Sequence, residues 1–239
     1  MITPIEKYNS IYVKRDDLFI FKNVCGGKVR SALALCKDAK GLVTAGSRYS
    51  PQVKIIAEIA NDMKIPFHAH IPFGSLTEET QFAIDKGALL FPCKPGFNNA
   101  IIGRAKKDAI NTGYTYIPFG MECFESIQQT ADQVVDIPNG VKRIVVPIGS
   151  GMSFLGIAQG LLKLKSTTPL IGIQVGANPI SRFNKFNIQY EKYTIIKSSV
   201  EYSTKIRAFI DDIELDPIYE AKCLEFLQPG DLLWIVGKR

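Results

Sequence analysis

Short apolar runs alternate with helical patterns along the first half of the chain. The runs have the length of strands, and in the stretches between them the apolar positions recur every three or four residues, as on one face of a helix. In chain order, these runs and helical stretches occupy residues 41–44, 53–63, 67–71, 77–86, 88–91 and 98–112. This alternation predicts parallel strands covered by helices.

A second series of the same kind follows in the other half. Residues 143–147 form an apolar strand, 154–163 a helix and 170–175 another strand, and residues 232–236 form a late strand. We therefore predict an α/β protein of two lobes, each with a mainly parallel sheet flanked by helices and with a ligand cleft between them. Open parallel sheets bind ligands beyond the carboxyl ends of their strands.

The predicted domain boundaries divide the chain unevenly. We expect a large domain of residues 1–35 plus 126–239 and a small domain of residues 36–125. A length of 239 residues is sufficient for two such lobes.

Composition excludes several classes of protein. The chain is 46% hydrophobic, as globular proteins are, and no run approaches the roughly 18 apolar residues of a spanning helix. It has five cysteines without a CxxC pair and only two histidines, His68 and His70, which argues against a metal site and against a secreted disulfide framework. We expect a cytoplasmic protein with no membrane partner, and structural roles for both histidines.

The net charge of +6 raises the question of a polyanionic partner. Basic residues are dispersed and alternate with acidic ones, as in Lys14, Arg15, Asp16 and Asp17. This pattern favours a solvated surface and a small anionic ligand. Nucleic acid is a disfavoured partner, because no basic stripe interleaved with aromatic residues is present.

A glycine- and serine-rich turn separates the strand at 143–147 from the following helix. Its residues are Gly149, Ser150, Gly151, Met152 and Ser153. Backbone N–H groups at a helix N-terminus bind anions, and small side chains let a phosphate approach. A tight turn without a ligand is the alternative. The spacing matches neither the ATP-binding nor the dinucleotide-binding glycine motif.

Three further positions are candidates for chemistry. Lys28 follows Gly26 and Gly27, where a desolvated amine would become nucleophilic, although a surface lysine at a helix start has the same pattern. Ser50 lies in a second strand–turn–helix segment. Glu220 is either an acid–base group or an ordinary charge in the first turn of a helix.

Taken together and in order, these segments resemble the fold type II pyridoxal-phosphate enzymes, of which tryptophan synthase β is typical. The most similar branch is that of 1-aminocyclopropane-1-carboxylate deaminase and D-cysteine desulfhydrase. The matching motifs are a KRDDL segment at 14–18, the glycines and lysine at 26–28, a GGxQSN-like turn at 46–52, the turn at 149–153 and a DPVY-like segment at 216–219.

The resemblance implies a role for each candidate residue. Lys28 would carry pyridoxal 5′-phosphate as a Schiff base and then act as base or acid, and Glu220 would pair with the pyridine nitrogen. Tyr219 and Tyr202 would be the tyrosines of the active site. The other cofactor-binding residues would be Ser50, Gln52, Gly149, Ser150, Gly151, Met152 and Ser153.

The sequence departs from the family pattern at three points. Gly27, directly before Lys28, stands where the family has an asparagine. Pro51 stands where the family has an asparagine that donates to the cofactor's phenolic oxygen, and proline has no side-chain or backbone donor. Gln52 or Ser50 is the expected replacement. The chain is also shorter than typical members, between residues 175 and 216 and after residue 236.

The resemblance implies a deaminase or lyase that acts on a small amino acid and releases ammonia and a 2-oxo acid, in a homodimer. Two alternatives stay open. One is β-replacement or amino-acid chemistry on a bulky anionic substrate such as a modified nucleotide. The other is a non-catalytic descendant that binds the cofactor or a metabolite.

Overall fold

The computed structural model describes residues 1–94, 98–176 and 178–238. Its strands are β1 (Ile5–Tyr8), β2 (Ile11–Arg15), β3 (Ile20–Phe21), β4 (Val24–Cys25), β5 (Leu42–Ala45), β6 (Phe67–Pro72), β7 (Leu89–Cys93), β8 (Thr115–Ile117), β9 (Arg143–Ile148), β10 (Leu170–Gln174), β11 (Tyr193–Lys197), β12 (Phe209–Ile210), β13 (Ile213–Glu214) and β14 (Asp231–Ile235).

Helical patterns of the sequence correspond to the helices that begin at Pro51, Glu78, Asn98 and Met152, whereas those that begin at Gly27, Phe124 and Ile180 were not predicted. The α-helices are α1 (Gly27–Cys36), α2 (Pro51–Met63), α3 (Glu78–Asp85), α4 (Asn98–Thr112), α5 (Phe124–Ala131), α6 (Met152–Lys163) and α7 (Ile180–Phe186). Short 3₁₀ segments cover Asp16–Leu18, Phe119–Met121 and Glu220–Phe226. No helix in the described ranges is both long and apolar enough to cross a membrane.

The chain divides into two compact units. The larger unit contains Met1–Ile20, Cys25–Gly27 and Cys123–Arg239, and the smaller unit contains Phe21–Val24 and Lys28–Glu122. This division falls close to the expected boundary near residue 125. It differs at the other end, because residues 28–35 belong to the smaller unit instead of the large domain.

The larger unit is built on a six-stranded sheet of order β1-β2-β14-β9-β10-β11. Only β1 and β2 pair antiparallel, and all other pairings are parallel. Its central strand β9 is buried on both faces: Ile144 and Val146 pack in the core that includes α6, whereas Val145 packs in the core on the opposite face. Burial on both faces explains the uninterrupted apolar run at this strand.

The smaller unit has a parallel four-stranded sheet of order β7-β6-β5-β8. Helix α4 covers one face, where Ile101, Ala105 and Ala109 pack against Val43 and Ala45 of β5. The βαβ rhythm of the first half is therefore confirmed.

The charged segment after β1 corrects one expectation. Lys14 is fully buried and Asp16 is 2% exposed, so the alternating charges at 14–17 do not form a solvated surface. The Lys14 ammonium donates to the carbonyl of Thr3 at 2.6 Å. Asp16 accepts from the Thr3 hydroxyl and from the Trp234 indole N–H, at 2.6 and 3.0 Å. These charges were misread because their partners come from distant parts of the chain.

Candidate active site

The turn between β9 and α6 has the backbone geometry of an anion site. Gly151 is the N-cap residue and adopts a left-handed conformation with φ of 88°, and it forms no side-chain capping hydrogen bond. A Cβ atom at Gly151 would lie 2.7 Å from Cβ of Pro179, so only glycine fits. The cap residue of α6 therefore supplies no side-chain acceptor to the first N–H groups of the helix, and such a helix start is suited to an anion.

Tyr219 packs directly against the start of this turn. A Cβ atom at Gly149 would lie 2.8 Å from the Tyr219 ring. The Tyr219 hydroxyl is 3.1 Å from the hydroxyl of Tyr202, and the two rings are 6.0 Å apart at 62°. The structure thus brings together three segments that the sequence assigned to one site.

Asp216 fixes the backbone that carries Tyr219. Its Oδ1 atom accepts the N–H groups of Ile218 and Tyr219 at 2.8 and 3.0 Å. Aspartate side chains commonly accept the N–H of the residue two positions later in a turn. This role explains why the DPVY-like segment at 216–219 begins with an aspartate.

Glu220 lies immediately after Tyr219 and is completely buried. Its Oε1 atom accepts the backbone N–H of Val236 at 2.7 Å. Burial, together with the negative charge of Glu220, raises the pKa of the Cys223 thiol well above its usual value. A buried carboxylate held by a backbone donor is suited to binding a cation or a protonated ring nitrogen.

Val236 also fixes the turn that leads into Lys28. Its carbonyl accepts the N–H of Gly27 at 2.9 Å. Gly26 has φ of 106°, and a Cβ atom there would lie 2.6 Å from the same carbonyl, so the close approach requires glycine. Lys28 is the next residue after Gly27 and is half-buried in the first turn of α1. Val236, the residue directly after β14, therefore forms hydrogen bonds both to the Glu220 carboxylate and to the turn that precedes Lys28.

Ser50 and Gln52 have clear structural roles in the smaller unit. Ser50 is the N-cap of α2, and its hydroxyl oxygen accepts the N–H of Gln52. The Gln52 amide nitrogen donates to the Thr44 hydroxyl and to the carbonyl of Pro118, both at 2.8 Å. Both amide hydrogens of Gln52 are therefore used within the smaller unit, and its role towards the cofactor stays a prediction.

His68 and His70 share one acceptor in the same unit. Their ring nitrogens lie 2.9 and 2.8 Å from Oδ2 of Asp108 on α4. Burial alone would raise the pKa of Asp108, but the hydrogen bonds from His70 and His68 outweigh burial and lower it. No cluster of three or more metal-ligand side chains occurs within the described residues.

Two residues that support the site were not found from the sequence. Val236 acts through its backbone, which leaves no signal in the residue type. Lys222 is 1% exposed, and its ammonium donates to the carbonyls of Glu201 and Tyr202. A lysine two positions after Glu220 is indistinguishable from a surface lysine in sequence.

Comparison with known proteins gives a clear structural result. No protein-family model matches the chain, and no curated protein sequence does. A crystal structure of an "ACC deaminase homologue" superposes with a TM-score of 0.83 at 19% identity, over 99% of this chain and 89% of that one. Diaminopropionate ammonia lyase of Escherichia coli gives 0.69 at 13% identity, over 100% and 83%.

A pyridoxal 5′-phosphate-dependent aspartate racemase is also similar, with a TM-score of 0.58 at 15% identity over 97% of this chain and 73% of that one. These values establish a shared fold. The chain has the α/β fold of type II pyridoxal-phosphate enzymes, as the sequence predicted.

Proposed function

We propose that the protein is a pyridoxal-phosphate-dependent deaminase or lyase that acts on a small amino acid and releases ammonia and a 2-oxo acid. The observation that carries the proposal is the double contact of Val236, which binds the Glu220 carboxylate and the turn before Lys28. The names of the structural neighbours, which include a deaminase homologue and an ammonia lyase, support the same class of reaction.

The residues of the larger unit fit the cofactor. The first N–H groups of α6 and the hydroxyls of Ser150 and Ser153 would hold the phosphate, because the cap residue Gly151 has no side chain to accept from the helix. We assign Oε2 of Glu220 to the ring nitrogen, since Oε1 already accepts from Val236. The resemblance assigns the covalent attachment to the amine of Lys28, which directly follows Gly27 of the larger unit.

When bound, the cofactor withdraws electrons from the substrate Cα. Glu220 would favour a protonated ring nitrogen, because its Oε1 atom is held by the N–H of Val236 and a nearby negative charge stabilises the added proton. The amine of Lys28 would be the base or acid that exchanges a proton with the substrate. The paired hydroxyls of Tyr219 and Tyr202 can bind the substrate and transfer a proton between them.

Lys28→Ala tests the covalent attachment. We expect the purified wild-type protein to take up pyridoxal phosphate and show the visible absorption band of a bound pyridoxal, and we expect the variant to lack that band. Lys37→Ala is the matched control, because Lys37 is an exposed lysine just beyond the same helix. A band that survives in Lys28→Ala would contradict the assignment.

A panel of amino acids tests the reaction. Wild-type protein loaded with cofactor is assayed for ammonia and 2-oxo acid with 1-aminocyclopropane-1-carboxylate, D-cysteine, D-serine and the common L-amino acids. We expect turnover of at least one small amino acid. A cofactor-loaded protein that is silent across the panel would favour a bulky anionic substrate, and a protein that binds no cofactor would exclude both enzymatic functions.

A further inference from the structure

Lys222 is a buried cation in the larger unit. It lies in the 3₁₀ segment Glu220–Phe226 with 1% of its surface exposed. Removing an ammonium group from water is costly unless the protein supplies hydrogen bonds in return. The Nζ atom donates to the carbonyls of Glu201 and Tyr202, at 2.6 and 3.1 Å.

These two carbonyls belong to a segment with little regular structure. Residues 198–208 lie between β11 and β12 and form no helix or strand. Tyr202 is half-buried within this segment, and its hydroxyl is 3.1 Å from that of Tyr219. The position of the Tyr202 ring therefore depends on tertiary contacts of its backbone, and Lys222 provides two of them.

Tyr219 and Lys222 are carried by the same stretch of chain. Asp216 fixes the backbone of Tyr219, and the Lys222 N–H donates in turn to the carbonyl of Tyr219 at 3.1 Å. One stretch therefore holds Tyr219 directly and Tyr202 through the Lys222 side chain. The distance between the two hydroxyls is set by both anchors.

We propose that Lys222 is a positioning residue that holds Tyr202 in register with Tyr219 for binding and proton transfer to the substrate. The expected effect of Lys222 on kcat/KM rests on the proposed function. Lys222 is not itself a catalytic residue, because its side chain is buried and acts through the backbone of another residue.

A double-mutant cycle tests the proposal. Lys222→Met, Tyr202→Phe and the double variant are compared by kcat/KM with the best substrate of the panel. If Lys222 acts through Tyr202, each single change lowers kcat/KM about tenfold and the double variant loses no more than that. Losses that multiply would show that Lys222 acts independently of Tyr202 and would overturn the proposal.

Hydrogen exchange supplies a readout that needs no activity. Exchange of the peptide covering residues 198–206 should become faster in Lys222→Met, while the visible cofactor band stays unchanged. Lys205→Met is the matched control, because Lys205 is exposed in the same segment, and it should leave exchange as in wild type. Unchanged exchange in Lys222→Met would overturn the proposal.

Failure of the proposed function and failure of the Lys222 proposal can be distinguished. A wild-type protein that binds no cofactor and shows no turnover would contradict the proposed function. The exchange experiment would still test whether Lys222 holds the segment that contains Tyr202. If Lys222→Met does not fold, Lys222→Gln keeps an N–H donor for the carbonyls and should give intermediate exchange. Exchange and kcat/KM both equal to wild type in a folded Lys222→Gln variant would contradict this expectation and overturn the proposal.

Discussion

Two turns of this molecule look alike in sequence and differ in what they leave for a ligand. Each follows a buried parallel strand and begins a helix: residues 46–50 lead from β5 into α2, and residues 149–151 lead from β9 into α6. At α2 the Ser50 side chain caps the helix, and Pro51 at the first position has no N–H to satisfy. At α6 the cap is a glycine that forms no side-chain hydrogen bond.

The comparison shows that a helix start is suited to an anion only when the chain does not cap it. At the α2 start, the Ser50 hydroxyl accepts the N–H of Gln52. At the α6 start, the cap residue supplies no side-chain acceptor at the positive end of a 12-residue helix. The content of glycine and serine alone does not distinguish the two turns. The difference lies in whether the N-cap residue has a side chain that accepts a hydrogen bond from the helix.

The largest effect is expected from Gly151→Ala. The new Cβ atom would lie 2.7 Å from Pro179 in a residue with positive φ, so the turn must move and the affinity for pyridoxal phosphate should fall about tenfold. Titration of the visible cofactor band measures this.

Gly87→Ala is the matched control for that prediction. Gly87 has φ of 85°, close to the 88° of Gly151, but a Cβ atom there meets nothing within 4 Å. It should cost about 1 kcal/mol of stability through backbone strain and leave cofactor affinity unchanged. Equal affinities in the two variants would remove the α6 turn from the binding site.

Ser50→Ala and Ser153→Ala should have opposite consequences. Loss of the Ser50 cap should lower the free energy of unfolding by about 1 kcal/mol. Loss of the Ser153 hydroxyl, which is not on the cap residue of its helix, should leave stability nearly unchanged and weaken cofactor binding about threefold. Urea denaturation and cofactor titration of both variants decide. A larger loss of affinity in Ser50→Ala than in Ser153→Ala would reverse the comparison.

The smallest effect is expected from Pro51→Ala. The conformation at the first helical position suits proline, so its replacement should lower the free energy of unfolding by about 0.5 kcal/mol through a more flexible unfolded chain. The urea midpoint measures this. A gain in stability would show that Pro51 is strained and is retained for a reason other than the start of the helix.

Periodicity predicted most of the fold. The bounds of α4 agree exactly with its pattern, and the parallel strands were found because their apolar runs are bounded by helices. Lys14 and Asp16 could not be predicted, since their burial depends on Thr3 and Trp234, which local sequence does not specify. The apolar core is encoded locally, whereas a buried polar network is not.

The candidate site was predicted in part for the same reason. Gly149, Tyr219 and Tyr202 lie together as the motifs indicated. The Gln52 amide nitrogen donates to Thr44 and Pro118, and no sequence spacing reveals these two partners. Backbone contacts such as those of Val236 are equally invisible, because any residue type can make them.

The position of β14 has a consequence for how the protein is made. This strand lies between β2 and β9 in the sheet, although it follows every other strand in the chain, and the bond from Trp234 to Asp16 spans 218 positions. Until residues 231–235 have been synthesised, β2 and β9 have no central strand between them. The sheet of the larger unit can therefore be completed only after that point, and its folding depends on pairing between distant parts of the chain.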